Sequence, residues 1–238
     1  INQGRSSLCF PARHLTGIIT EPPMLVKQQG QQMQPRVSQR DEILPSHFVQ
    51  IKNFLSDNEH RQLMQYVMQR EADFAHTITE IDKHPGYRKS KAIYEFPEFS
   101  DMMIARVRTR VPEVMRQFGE DLFDIDRIEC QLTAHNENDY YKIHNDNGSD
   151  KTATRELTYV YYFNREPKAF GGGELKLYDS RIENNYYVEA ESYKLVEPIN
   201  NSLVFFLARY MHEVMPVSCP SQQFADGRFT INGWVRRK

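Results

Sequence analysis

Three residues of this chain have the types and spacing to share one metal ion. His144 and Asp146 stand two apart at the end of a strand-like stretch, Tyr140–Ile143, so their side chains can leave the backbone toward the same side. Alone, an H-x-D pair fits an exposed turn as readily as a metal site. His212, far downstream after the apolar run Ser202–Leu207, offers a third ligand. Two imidazoles and a carboxylate occupy one face of a metal and leave its other positions open, which suits non-haem iron chemistry. The helical HExxH spacing of zinc hydrolases is absent. Asp146 also stands where a cupin-like site would want a second histidine.

A second pair lies in Arg228-Phe229-Thr230. A guanidinium binds a carboxylate through two parallel hydrogen bonds, and a hydroxyl two residues along a strand faces the same way. A dicarboxylate that chelates the metal at one end needs a cation at the other. Arg228 and Thr230 therefore fit 2-oxoglutarate. The plainer reading is a surface arginine paired with an acidic neighbour.

These groups must be positioned by strands. From Asp126 onward, short runs alternate with turn signals: Ile128–Ala134, Leu157–Phe163, Glu174–Tyr178, Tyr186–Val188, Ser202–Leu207, Glu213–Val217 and Phe229–Val235. Asn147-Gly148, Gly171–Gly173, Asn200-Asn201 and Asp226-Gly227 separate them. Upstream, Ser56 and Glu59 have capping-box spacing ahead of Leu63, Met64, Val67 and Met68, which predicts a helix over about 57–72. A second helix is expected after Ser100, with Pro112 kinking it or opening a new one. Helices first and many strands after predict a mostly β fold, a sandwich or barrel with supporting helices. Thirteen Tyr and fourteen Phe suit such pleated, half-buried surfaces.

Taken together, H-x-D, a distal His and R-x-[ST] resemble the Fe(II)/2-oxoglutarate-dependent dioxygenases, and more narrowly the prolyl 4-hydroxylases. Tyr141–Asp146 resembles their Y-x-x-H-x-D, and Arg155–Thr158 with Tyr161–Asn164 resembles their R-x-x-T-x-x-Y-Y-L-N. The segment Gly171–Leu175 resembles their glycine turn. Arg228 and Trp234 resemble the Arg and Trp of their last core strand. The resemblance spans about Ile128–Arg236. It implies a double-stranded β-helix (jelly-roll) core. It implies Fe(II), 2-oxoglutarate and O2, and admits ascorbate. The reaction it implies is hydroxylation coupled to decarboxylation of 2-oxoglutarate to succinate. An intact Asp146 points to hydroxylation, because related halogenases lack that carboxylate. By the same resemblance Tyr162 shares the cosubstrate carboxylate with Arg228, and Tyr141 belongs to the cosubstrate-binding set. Arg88, in a short R-x-S segment, and Trp234 are candidate substrate contacts. Two departures stand out. His135 replaces a tyrosine of the family, and it either donates a comparable hydrogen bond or is merely structural. A longer gap from His212 to Arg228 predicts an inserted loop, Ser218–Gly227, at the rim of the site.

Composition bounds the rest. The 238 residues are 39% hydrophobic and 26% charged, ordinary for one globular domain. Residues 1–43 are Gln- and Pro-rich and read as an arm or linker, leaving 44–238 as the domain. A net charge of -2 gives no reason to expect nucleic acid or an anionic membrane as a partner. The sequence holds no run of transmembrane length, and three scattered cysteines suit a reducing compartment, so the cytoplasm is the default expectation. Three readings stay open: a peptidyl hydroxylase acting on a residue such as proline, a hydroxylase of a free amino acid or small metabolite, and a β-helix binding module without catalysis.

Overall fold

A computed structural model describes residues 43–77, 86–183 and 186–238. The arm expected over 1–43 lies outside them but for Ile43. Two antiparallel sheets carry the fold. The larger runs in the order β1 (Phe48–Lys52), β12 (Ser202–Leu207), β8 (Arg155–Phe163), β15 (Arg228–Arg237), β6 (Gln131–His135), β4 (Lys91–Ile93) and β2 (Ala75–His76), with β5 (Ile125–Ile128) also pairing β15. The smaller runs β11 (Tyr186–Val196), β10 (Leu175–Glu183), β13 (His212–Val214), β7 (Tyr140–His144) and β3 (Arg88–Lys89). A short pair, β9 (Gly171–Gly172) with β14 (Val217–Ser218), stands apart. This is the expected jelly-roll, mostly β and braced by helices.

Strand parity divides the larger sheet into two faces. Leu157, Tyr159, Tyr161 and Phe163 of β8 join Leu132, Phe229 and Ile231 in one apolar core. The alternate positions (Thr158, Val160 and Tyr162 with their neighbours on β6 and β15) line a cavity instead. Helix α1 (Asp57–Gln69) starts at the predicted capping box: Glu59 N–H donates to Ser56 Oγ, and Ser56 N–H donates to the Glu59 carboxylate. It buries Leu63 and Val67 and stops at Gln69, short of the expected 72.

Helix α2 (Pro97–Phe118) opens three residues before Ser100, because Pro97 occupies the first turn, where no N–H is needed. It continues through Pro112 as one helix. That proline is exposed, so the carbonyl it leaves unpaired one turn back can turn to water. Met103, Val107, Val111, Val114 and Met115 of α2 complete the core.

Candidate active site

Adjacent strands bring the two histidines together. His212 on β13 pairs directly with His144 on β7, and their rings lie 4.2 Å apart. Asp146 follows β7, its backbone N–H held by the Ala208 carbonyl at 2.9 Å. Its carboxylate sits 3.7 Å from His144 Nε2 and 3.4 Å from His212 Nε2. All three side chains are buried, and one ligand atom from each lies within 4.8 Å of the others.

The hydrogen bonds fix how these groups present themselves. His144 Nδ1 contacts the Lys142 carbonyl at 2.7 Å and His212 Nδ1 contacts the Tyr210 carbonyl at 2.9 Å. A carbonyl only accepts, so each Nδ1 donates to it and each Nε2 is the nitrogen turned toward a metal. Burial, and then the neighbouring His212, push the His144 pKa down to about 3, although Asp146 pulls the other way. His144 is therefore a neutral ligand at working pH. Burial alone would raise the Asp146 pKa. The two histidines, a 2.7 Å hydrogen bond from Thr158 Oγ1 and the charge of Arg155 outweigh it, and the carboxylate stays ionised. Two imidazoles that turn Nε2 toward one point and one ionised, oriented carboxylate fit iron(II).

The second predicted pair lies on the opposite sheet. Arg228 on β15 is 2% exposed and forms no ion pair among the described residues. A buried guanidinium without a counter-ion is costly, and burial lowers its pKa. Its Nη1 donates to His135 Nδ1 at 3.3 Å, so His135 is a neutral imidazole protonated at Nε2. Arg228 Nε, Tyr162 Oη and His135 Nε2 are all buried without hydrogen-bond partners among the described residues. Thr230 is buried on the same strand, paired with Tyr162 on β8 and Thr133 on β6. An unpaired cation with its own Nε–H free, and two further unused donors beside it, suit a carboxylate such as that of 2-oxoglutarate.

Both clusters open on one cavity of about 1010 Å³. Tyr141 stacks on His144 at 3.6 Å, on the metal side and not beside Arg228. The Arg88 guanidinium lies 4.8 Å from the far side of that stack, at the Tyr141 ring, and its Nε donates to Ser90 Oγ. Trp234 also lines the cavity, with the Arg155 guanidinium 3.5 Å from its ring. Arg155 pairs with Glu129 at 2.7 Å and donates to the Asp146 backbone carbonyl at 3.3 Å.

Thr158 and Arg155 stand in the R-x-x-T motif, but the motif alone does not disclose that both hold Asp146. The parity of β8, which puts Thr158 on the Tyr162 face, was the available signal. The loop Ser218–Gly227 needs correcting, since none of its residues lines the cavity. Phe224 packs its ring 5.1 Å from both Phe74 and Phe229, and buried Asp226 is held by Ser221 and Arg165. The loop is thereby pinned to the core side of β15. Tyr87, Arg88 and Tyr94, upstream of α2, also line the cavity, which places the candidate substrate contact Arg88 at the site.

Known proteins resemble this one in both sequence and shape. The pattern of the 2OG-Fe(II) oxygenase superfamily matches residues 130–236. A PKHD-type hydroxylase of Synechocystis sp. is 43% identical over 209 residues, covering 86% of this chain and 69% of the relative. Among solved structures, a prolyl-4-hydroxylase from Pseudomonas putida superposes with a TM-score of 0.58 at 21% identity, covering 80% of this chain and 92% of that one. A prolyl hydroxylase from Trichoplax adhaerens, in complex with a hypoxia inducible factor peptide fragment, gives 0.57 at 20%, covering 79% and 83%.

Proposed function

Since this chain belongs to the 2OG-Fe(II) oxygenase superfamily and is a prolyl hydroxylase-like, Fe(II)- and 2-oxoglutarate-dependent hydroxylase, we propose that its substrate is a peptidyl residue, proline foremost. Hydroxylation of that residue is coupled to decarboxylation of 2-oxoglutarate to succinate. The observation that carries the assignment of roles is the pairing, across one cavity, of a buried His-Asp-His cluster with a buried, unpaired arginine.

His144, Asp146 and His212 hold the iron. Arg228, Thr230, Tyr162 and His135 hold the far carboxylate of the cosubstrate. Iron(II) with 2-oxoglutarate and O2 supplies the oxidant that inserts oxygen into an unactivated C–H bond. The protein's part is orientation. Thr158 and Arg155 hold Asp146, and the two backbone carbonyls hold the imidazoles. Phe206, edge-on to His212 at 4.7 Å, keeps that flank apolar.

The cavity's charges favour a peptide over a free amino acid. Its carboxylates are Glu129, Asp146 and Asp150. Glu129 is held by Arg155 and Arg236, and Asp146 faces the histidines. That leaves exposed Asp150 to meet an ammonium group, far from an ideal buried partner. In the Trichoplax structure the bound partner is a peptide, which supports the same choice.

The test is competition. The enzyme with iron, 2-oxoglutarate and O2 is given end-blocked proline-containing peptides together with free amino acids, and products are read by mass. Peptides gaining one oxygen atom are expected. Oxygen added to free amino acids alone would overturn the substrate class.

A further inference from the structure

We propose that Gln131 and Asn232, with the Trp234 indole N–H, form a subsite that binds the main-chain carbonyl groups flanking the hydroxylated residue. The proposal rests on the peptidyl reading above and extends it to the groups that recognise the chain. Gln131 and Asn232 are direct cross-strand partners on β6 and β15, and both side chains are on the cavity face. Gln131 is only 6% exposed, yet its carboxamide makes no hydrogen bond among the described residues. The Asn232 Oδ1 accepts from Thr133 Oγ1 at 3.0 Å and from Thr230 Oγ1 at 3.3 Å. The Thr133 bond fixes the amide even when Thr230 turns its hydroxyl to the cosubstrate, and the Asn232 NH2 group is left to donate. Trp234, two residues on along the same face, has a buried indole N–H without a partner among the described residues.

The register sets this group beside the reacting centre. Trp234 pairs with Thr158, the residue that holds Asp146, and Asn232 pairs with Val160 on the same strand. Donors dominate the set: an indole N–H, a fixed Asn NH2 and a Gln NH2. That suits a prolyl segment, because an X–Pro bond has no N–H and offers only carbonyl acceptors. A free amino acid would bring a carboxylate and an ammonium, and this neutral row offers a counter-ion to neither. Leaving such donors buried and unused is unfavourable, so they discriminate by requiring an acceptor.

The experiment uses the full chain, a pool of end-blocked pentapeptides with central proline, and the free amino acids. Asn232→Asp keeps the acceptor for both threonines and deletes the free donor. Gln131→Met and Trp234→Phe delete the other donors at similar volume. Calorimetry of 2-oxoglutarate with manganese in place of iron checks the fold and the neighbouring pocket: affinity should hold within about twofold in Gln131→Met and Trp234→Phe, while Asn232→Asp, whose carboxylate lies beside Thr230, is assayed with 2-oxoglutarate at saturation for that variant. Each variant should raise the peptide KM about tenfold with kcat changed far less. Wild-type KM in all three variants would overturn the subsite while leaving the peptidyl reading intact. Conversion of free amino acids alone by the wild-type enzyme would overturn the peptidyl reading itself, and the subsite with it.

Discussion

At the scale of single residues, the site is defined by which polar atoms are satisfied. His144 and His212 spend Nδ1 on backbone carbonyls and so present Nε2. Replacing either histidine, or Asp146, by alanine should abolish iron binding and 2-oxoglutarate turnover while circular dichroism reports an unchanged fold. Metal content with stoichiometric analysis checks this, and wild-type iron in any of the three would contradict it. Arg228 and its neighbours make the complementary case. Removing one partner of a buried charge pair costs about 2–5 kcal/mol. Arg228→Ala should therefore weaken 2-oxoglutarate binding at least about tenfold, and Tyr162→Phe less, by calorimetry with manganese.

His135 carries a pH prediction. Burial, then the charges of Arg228 and Arg88, hold its pKa well below the usual 6.5. In the unfolded chain it regains that usual value. As pH falls below 6.5 the unfolded state takes up a proton that the folded state refuses, so stability falls. From pH 7.5 to 5.5 this one group should cost about 1.4 kcal/mol. His144, depressed in the same sense, adds to the slope. Urea denaturation of metal-free protein should show a shallower loss over that interval in His135→Gln. An identical slope would mean that His135 titrates normally in the fold.

At the scale of elements, strands and turns fix the aim of these side chains. Gly173 follows β9 with φ +69°, a region that L side chains rarely adopt. A Cβ there would lie 2.7 Å from Arg228 Cδ and 2.9 Å from Val217 Cγ2. Gly173→Ala should therefore displace the Arg228 side chain and weaken 2-oxoglutarate binding several-fold, with iron content preserved. Equal affinity would show that Arg228 has room to give. Gly233 acts differently: a Cβ would stand 1.8 Å from the Glu129 carbonyl, so the β5–β6 connection can lie against β15 only with glycine there. That close approach places Glu129 where Arg155 and Arg236 reach it.

At the scale of the whole molecule, local signals were legible and cross-strand partnerships were not. The strand-like run Leu157–Phe163 and the Ser56–Glu59 spacing each named an element within a few residues, because burial and capping restrict which residues can stand there. The residues of the metal cluster and the Arg228 pocket were legible because their chemistry restricts residue type. Arg155 over Trp234, and Gln131 opposite Asn232, depend on register between strands distant in sequence, which no single segment encodes. The loop Ser218–Gly227 was misplaced for a related reason. Its position between His212 and Arg228 suggested the rim, whereas Phe224 finds its partners in Phe74 and Phe229 on the core side. Short strands such as β3 and β4 carried too few residues to show a period at all.

The most direct measurement follows the oxygen. The enzyme is supplied with iron(II), 2-oxoglutarate and an end-blocked proline peptide under an atmosphere of heavy-isotope O2, and both products are weighed by mass spectrometry. A hydroxylase with iron at His144, Asp146 and His212 should put one heavy oxygen atom into the peptide and one into succinate, in equal amounts, with neither product formed by Asp146→Ala. Oxygen in the peptide that comes from water, or that appears without 2-oxoglutarate, would contradict the assignment.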